Sequence, residues 1–398
     1  MILHVACLPF PSYQGTQAAL HAMLQASAST GRPTHLLTYA QAAYELDAAY
    51  EIHRIPDFPE VRSLRSGPSW GKVALDARCI TETRRVASRL RPTAIVAHHV
   101  EAAVVALAAH VAPVYYVAHT SLARELPVYF PSLPTGIVSG MAEQAERNLC
   151  ARAAGVAAVA PSLAALLGEV ASYLPVPWTP PAGPPPTRNE ARATLGLADD
   201  AHVCLYAGNL DRYQGWEHLI EATVELRRTH RKARLLVATE SDSTPARLEA
   251  ERLGISNSVH FCRLDGERAR ALAHAASDLA WVPRRTEGGL PIKMLDAFAR
   301  ELPVVAMHRA TAGLPVHRAC SVTPDDDPRA LATAARHLID DDRAAVPLRH
   351  EGRRYLAAHH SVASFDRALR VLLGDAEVGP KAAHVGPRRR ALQAPQAR

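Results

Sequence analysis

The chain lacks the signatures of several large function classes. Six cysteines occur in 398 residues, Cys7, Cys79, Cys150, Cys204, Cys262 and Cys320, and no two form a CxxC pair. That argues against both a zinc-ribbon scaffold and a disulfide framework. Long apolar runs are missing as well. The most apolar window, Ala102 to Ala118, is broken by His110 and Pro113 and reads as a buried helix followed by a strand rather than a membrane span. Met1 leads directly into ILHVACLPF without a basic start or a small-residue cleavage site, so the expected location is the cytoplasm. The first loop, PSYQGTQ, has a single glycine, Gly15, and no GxGxxG. A nicotinamide dinucleotide site is therefore disfavoured, although Gly15 would still let the backbone approach a diphosphate. The paired histidines His98, His99, His359 and His360 lack the helical spacing of a metal site, and Asp325 to Asp327 read as the cap of a helix opening at Pro328. No metal and no bound cofactor are expected.

What is present is the composition of a soluble globular protein, 48% apolar and 21% charged, with a length that suggests about two domains. The net charge of +6 is unevenly placed. Lys381, Arg388, Arg389, Arg390 and Arg398 lie in an acid-free terminal segment and supply five of the six charges. The globular part is nearly neutral, so nucleic acid is not an expected partner. Residues 377–398 read as a basic disordered tail whose cations could give peripheral contact with an anionic membrane at its inner surface.

Two α/β halves follow from the pattern. An apolar strand at Ile2, a helical stretch from Ala18 to Ala28, and the strand HLLTY make a βαβ start. Helices over 74–90 and 101–109, the strands TAIVAHH and PVYYVAH, a helix from Met141 to Ala153, the strand GVAAVAP and a helix capped by Ser162 complete the first half. PVPWTPPAGPPPT then packs seven prolines into one span, which predicts an extended interdomain connection. The strand pattern restarts at His202. The expected boundaries are 1–178 and 188–362, with a last helix at about 364–376 returning to the first half.

One corner stands out in each half. Between the strands LAWV and LPVVAM, Gly288 and Gly289 permit a tight turn before a helix that Pro291 suits as an opening residue. Free helix amides, Arg284, Arg285 and Lys293 would attract phosphate there, and Asp296, deeper in the helix, could accept hydrogen bonds from a ribose. In the first half His119 ends a strand and is followed by TSLARELP, so that Thr120 and Glu125 leave the sheet in the same loop, where open α/β sheets carry their chemistry.

Together these segments resemble glycosyltransferase family 4, of the GT-B fold. PFPSYQGTQ resembles the family's first glycine loop, HHVEAAVVALAA its exposed helix, AHTSLARELPVYF its histidine segment, YAGNLDRYQGWEHLIEA its second glycine loop and EGGLPIKMLDAFARELPVVA its donor-binding helix. The resemblance covers roughly residues 1–375. It implies two Rossmann-like domains facing across a cleft and a retaining, metal-independent transfer from a nucleotide-diphosphate sugar. The acceptor hydroxyl would belong to a glycan, a lipid-linked sugar or a small molecule. His119 and Glu287 would be catalytic, Gly15, Asn209, Gln214, Arg284, Arg285, Gly288, Gly289, Lys293 and Asp296 would bind the donor, and Thr120 and Glu125 would lie on the acceptor side. Three departures are visible. Glu287 and Asp296 stand one position further apart than the family's acid pair, the expected acidic position is Gly288, and Asn209 and Gln214 replace the loop's usual cations. These departures keep a non-catalytic partner subunit as an alternative, beside a sugar-nucleotide epimerase on the same fold.

Overall fold

The computed structural model describes residues 1–58, 70–180, 183–287 and 289–375. The expected basic tail, Gly288 and two residues of the proline-rich connection lie outside these described residues.

The first half builds one parallel sheet from β1 (Ile2–Ala6), β2 (Thr34–Thr38), β3 (Glu51–Arg54), β4 (Ala94–His98), β5 (Val114–Ala118), β6 (Gly155–Ala158) and β7 (Ala171–Tyr173), in the order β3-β2-β1-β4-β5-β6-β7. The second builds another from β8 (His202–Ala207), β9 (Ala233–Ala238), β10 (Val259–Cys262), β11 (Leu279–Val282), β12 (Val304–Met307) and β13 (Ser321–Thr323), in the order β10-β9-β8-β11-β12-β13. Both halves are Rossmann-like, because strand order reverses beside the first strand of each sheet. Strands β1, β2, β4, β11 and β12 are buried along their whole length. They are buried on both sides because helices cover both faces of a parallel sheet, and β1, β2 and β4 carry buried polar residues, His4, Thr34, His35, Thr38 and His98, among their apolar ones.

The sheets are connected through residues 174–187 and again near His360, which is fully buried and bonded through Nδ1 to the Val176 carbonyl at 2.7 Å. Helix Val362–Leu373 then lies on the first sheet, where the Tyr115 hydroxyl donates to the Leu373 carbonyl at 3.4 Å and Arg32 pairs with Asp375 at 3.1 Å. No helix among the described residues is long and apolar enough to cross a membrane.

Local chemistry explains where the elements begin. Asp327 caps helix Pro328–Asp340 by accepting from the Ala330 amide at 3.0 Å, and Thr187 with Glu190 forms a complete capping box for helix Arg188–Leu195. Ser162 does not cap its helix. Pro161 takes the first helical position, which moves the N-cap to Ala160, whose side chain cannot bond. The segment after His119 is not an extended loop either, since Leu122–Tyr129 is helical.

Candidate functional site

The two switch points face each other across a cleft of about 490 Å³, lined by strand-end residues of both sheets. Ligands in doubly wound sheets bind outside the carboxyl ends of the strands at this reversal of order. From the first half come Gly15, His98, His99, His119, Thr120 and Glu125; from the second come Gly208, Asn209, Gln214, Arg284, Gly289, Lys293 and Asp296.

The glycine corner belongs to the second half but presses against the first. Gly289 has φ of +78°, and a Cβ there would stand 2.8 Å from the His119 carbonyl oxygen, so no other residue fits without parting the halves. Arg284 is buried, donates through Nη1 to the Gly289 carbonyl at 3.2 Å, and keeps a buried Nε with no partner among the described residues. Helix Ile292–Ala299 begins beside it with no side-chain cap, leaving its first amides for a ligand. Lys293 donates to Gln214 Oε1 at 2.8 Å and lies 4.0 Å from the centre of the Tyr206 ring. A Cβ at Gly208 (φ +151°) would meet Lys293 Nζ at 3.1 Å, so this glycine makes room for the ammonium. Burial, and then the neighbouring Arg284, push the Lys293 pKa well down. Asp211 pulls the Lys293 pKa back up and Glu125 faces Arg284, and an anion entering beside the two basic groups would favour the charged form of Lys293.

A chain of imidazoles occupies the first half. His4 Nδ1 lies 2.9 Å from His98 Nε2, and His98 Nδ1 lies 3.0 Å from His119 Nε2. Burial pushes His4 down to about 3 and holds His98 and His119 well below the usual histidine range, so all three are neutral at pH 7. Each neutral ring has one N–H to give. His4 Nε2 is buried without a partner among the described residues, and an orphaned donor there would cost more than an orphaned lone pair. The favoured assignment therefore runs His4 Nδ1–H to His98 and His98 Nδ1–H to His119 Nε2. This leaves His119 carrying its proton on Nδ1. His99, held at φ +71° in the left-handed region, stacks on His119 with ring centres 4.6 Å apart. Nearby, burial raises the Glu125 pKa against the opposing pull of Arg284 and a hydrogen bond from Thr120.

Three expected donor or catalytic residues, Arg285, Glu287 and Asp296, lie differently. Arg285 points away from the cleft, exposed and paired with Glu217 at 3.3 Å, because its backbone is pinned to the Tyr213 carbonyl at 2.9 Å. Glu287 is exposed and does not line the cleft. Gly288 lies outside the described residues. Asp296 reaches the cleft wall, but Arg270 holds one of its oxygens at 3.2 Å and Arg300 the other at 3.2 Å. Burial pushes its carboxyl up, yet His274, Arg270 and Arg300 together hold it below the usual range. Since burial keeps His274 toward neutral, the guanidiniums carry that pull. Asn209 donates to Asp211 at 2.9 Å and keeps a buried, unpartnered Oδ1.

Sequence reasoning missed Tyr213, Arg270 and the role of His98. Arg270 arrives from helix Glu267–Ala275 with no motif around it. His98 carried the one readable signal, a histidine at the end of a strand.

A family model described as "Glycosyl transferases group 1" matches residues 201–341. A D-inositol 3-phosphate glycosyltransferase from Catenulispora acidiphila is 31% identical over 209 residues, 49% of each chain, and one from Actinosynnema mirum is 34% identical over 142 residues, 33% of each chain. The chain thus spans less than half the length of these curated relatives. Among solved structures, a sucrose-phosphate synthase from Thermosynechococcus elongatus superposes with a TM-score of 0.76 at 17% identity, covering 94% of this chain and 99% of that one. Anabaena HepE in complex with UDP-glucose superposes with a TM-score of 0.74 at 16% identity over 94% and 99%. WaaG, a glycosyltransferase involved in lipopolysaccharide biosynthesis, gives 0.71 at 17% identity over 94% and 100%. The fold is GT-B.

Proposed function

We propose that this chain is a glycosyltransferase that moves a sugar from a nucleoside-diphosphate sugar to an acceptor hydroxyl, with retention at the anomeric carbon. The observation that carries the reading is the pairing, across one cleft, of a cationic helix-start corner (Arg284, Lys293 and the amides near Ile292) with the neutral His119. The corner suits a diphosphate, whose charge grows as the sugar C1–O bond breaks; fixed cations and amides stabilise that growth without reorganising. His119, donating from Nδ1, would hold a hydroxyl of the transferred sugar. The acceptor would enter from the side of Thr120 and Glu125, form the new C1–O bond on the face the diphosphate leaves, and pass its proton to the departing phosphate oxygen.

Asp296, already held by two arginines, fits a ribose contact through its remaining lone pairs, and it positions Arg270 at the cleft wall. This part of the reading rests on the resemblance of IKMLDAFA to the family's donor helix. The D-inositol 3-phosphate glycosyltransferases to which the chain is similar make inositol 3-phosphate one acceptor to include beside free sugars and lipid-linked sugars.

The test is thermal shift and calorimetry with UDP, GDP and ADP and their sugars, followed by NMR of the product anomer with the preferred donor. Stabilisation by one diphosphate family and an unchanged anomeric configuration are expected. No stabilisation by any nucleoside diphosphate at millimolar concentration would remove the donor site, and inversion would remove the same-face step.

A further inference from the structure

A second cluster lies outside the cleft, on the two outer strands at one edge of the first sheet. On β2 and the edge strand β3, His35 is the register partner of Glu51, and His53 follows Glu51 by two residues on the same face. The three side chains converge. His35 Nδ1 lies 3.2 Å from His53 Nε2 and 3.3 Å from Glu51 Oε2, and the last two atoms are 3.9 Å apart. None of the three lines the cleft.

Hydrogen bonding alone leaves this arrangement one proton short. If His53 Nε2–H donates to His35 Nδ1, then His35 turns a lone pair toward the Glu51 oxygen. If His35 Nδ1–H donates instead, a single hydrogen faces two acceptors at nearly equal distance. A metal ion satisfies all three lone pairs together. Four ligands at zinc–nitrogen or zinc–oxygen distances stand about 3.3 Å from one another in a tetrahedron, which matches two of the observed separations and asks a small movement of the exposed Glu51 for the third. Two residues spaced i, i+2 on one strand with a partner on the next strand also hold their ligands rigidly, because the ladder fixes the strand spacing.

We infer that His35, Glu51 and His53 form a binding site for a divalent transition-metal ion such as zinc, with water in the fourth position. The site ties the edge strand to the sheet and takes no part in transfer. One group opposes it. Arg89 Nη2 lies 3.4 Å from His53 Nδ1, and zinc at Nε2 requires Nδ1 to carry the ring proton, so Arg89 must turn away when the metal binds. Arg85, the other nearby cation, is held by Glu82 at 2.6 Å.

The experiment uses the untagged full chain, stripped with a chelator and titrated with cobalt(II) and then zinc(II). One equivalent of cobalt should bind with the visible absorption of a tetrahedral N/O site, zinc should displace it, and both should raise the melting temperature. Glu51→Gln, at a mostly exposed position that does not threaten folding, should weaken binding at least about tenfold. Arg89→Gln, which removes the opposing cation, should strengthen it. The absence of cobalt binding to the wild-type chain, or an affinity equal to that of the wild-type chain in Glu51→Gln or in the His35→Gln/His53→Gln double variant, overturns the assignment.

Discussion

The two sheets repeat one strand order, yet they furnish their shared cleft with opposite chemistry. On β1, at the end of β4 and just past β5 stand buried neutral imidazoles, with one carboxyl whose pKa is raised. Past β8 and β11 stand glycines, a buried guanidinium and an ammonium whose pKa is lowered. The repeated topology supplies the crevice; a handful of residues just beyond the strand ends decides what each wall does. One wall is built to hold charge, and the other to point a hydrogen bond.

Acid should separate the halves, with the largest effect of any test here. His4, His98 and His119 have folded pKa values below their unfolded value near 6.5. As pH falls below 6.5 the unfolded chain takes up protons that the folded chain cannot, so stability drops from that point down, ending for His4 near 3. At pH 5 each fully neutral histidine costs about 2 kcal/mol. Asp296 behaves in the other window. Its folded pKa is lowered, so its contribution is present above the unfolded carboxylate value and is lost only as pH falls through the lower folded one. The second half's buried His274 is lowered too, but Asp296 pulls it back up. Hydrogen exchange at pH 7 and pH 5 should therefore show β1 and β4 loosening before β8 and β11. A uniform loss, or the reverse order, contradicts the contrast.

Within the charged wall, Lys293→Ala should weaken nucleoside-diphosphate binding by about 10- to 100-fold, as one charged hydrogen bond to phosphate is worth about 1.5–3 kcal/mol. Arg285→Ala should change it less than about twofold, because that guanidinium is exposed and already paired with Glu217. Calorimetry on both variants checks this. Equal losses would put Arg285 back into the site.

On the neutral wall the expected effect is smaller and of another kind. His98→Phe removes the donor to His119 Nε2, so His119 no longer has its proton fixed on Nδ1, and kcat should fall about tenfold, or about 1.4 kcal/mol. Diphosphate affinity should stay within about twofold. His98→Asn, whose amide sits where His98 Nδ1 does, should recover part of the rate. A parallel loss of affinity in the Phe variant, or no rescue by Asn, would reduce the imidazole chain to packing.

Much of this was legible in the residues. The two βαβ halves, the cap at Asp327 and the meeting of LAWV, the glycine turn and IKMLDAFA all follow from local pattern, because such features depend on neighbours in the chain. Neighbouring residues separated by the fold were harder to read. Arg284 and Arg285 are adjacent in sequence, but the bond from the Arg285 amide to Tyr213 sends one side chain into the cleft and the other to the surface. Asp296 read as a free acceptor, although Arg270 and Arg300, one from another helix and one from its own next turn, occupy both oxygens. The imidazole chain needs the pairing of β1 with β4, and the His35 cluster needs the register of β2 with β3, which no periodicity encodes.

The smallest expected effect on turnover is that of chelation, and it bears on both walls. In the proposed reading, the cleft groups that would meet a diphosphate are Arg284, Lys293 and the amides opening helix Ile292–Ala299. These can neutralise leaving-group charge by themselves. Asp296 is committed to guanidiniums, and the His and acid side chains that converge with metal-ligand spacing among the described residues are His35, Glu51 and His53, outside the cleft. Transfer measured in EDTA should accordingly stay within about twofold of the untreated rate, while the melting temperature of metal-loaded protein falls as β3 loses its tie. Activity that vanishes in EDTA and returns with magnesium or manganese, at unchanged melting temperature, would place the cation on the diphosphate and leave the cationic wall to bind rather than to activate.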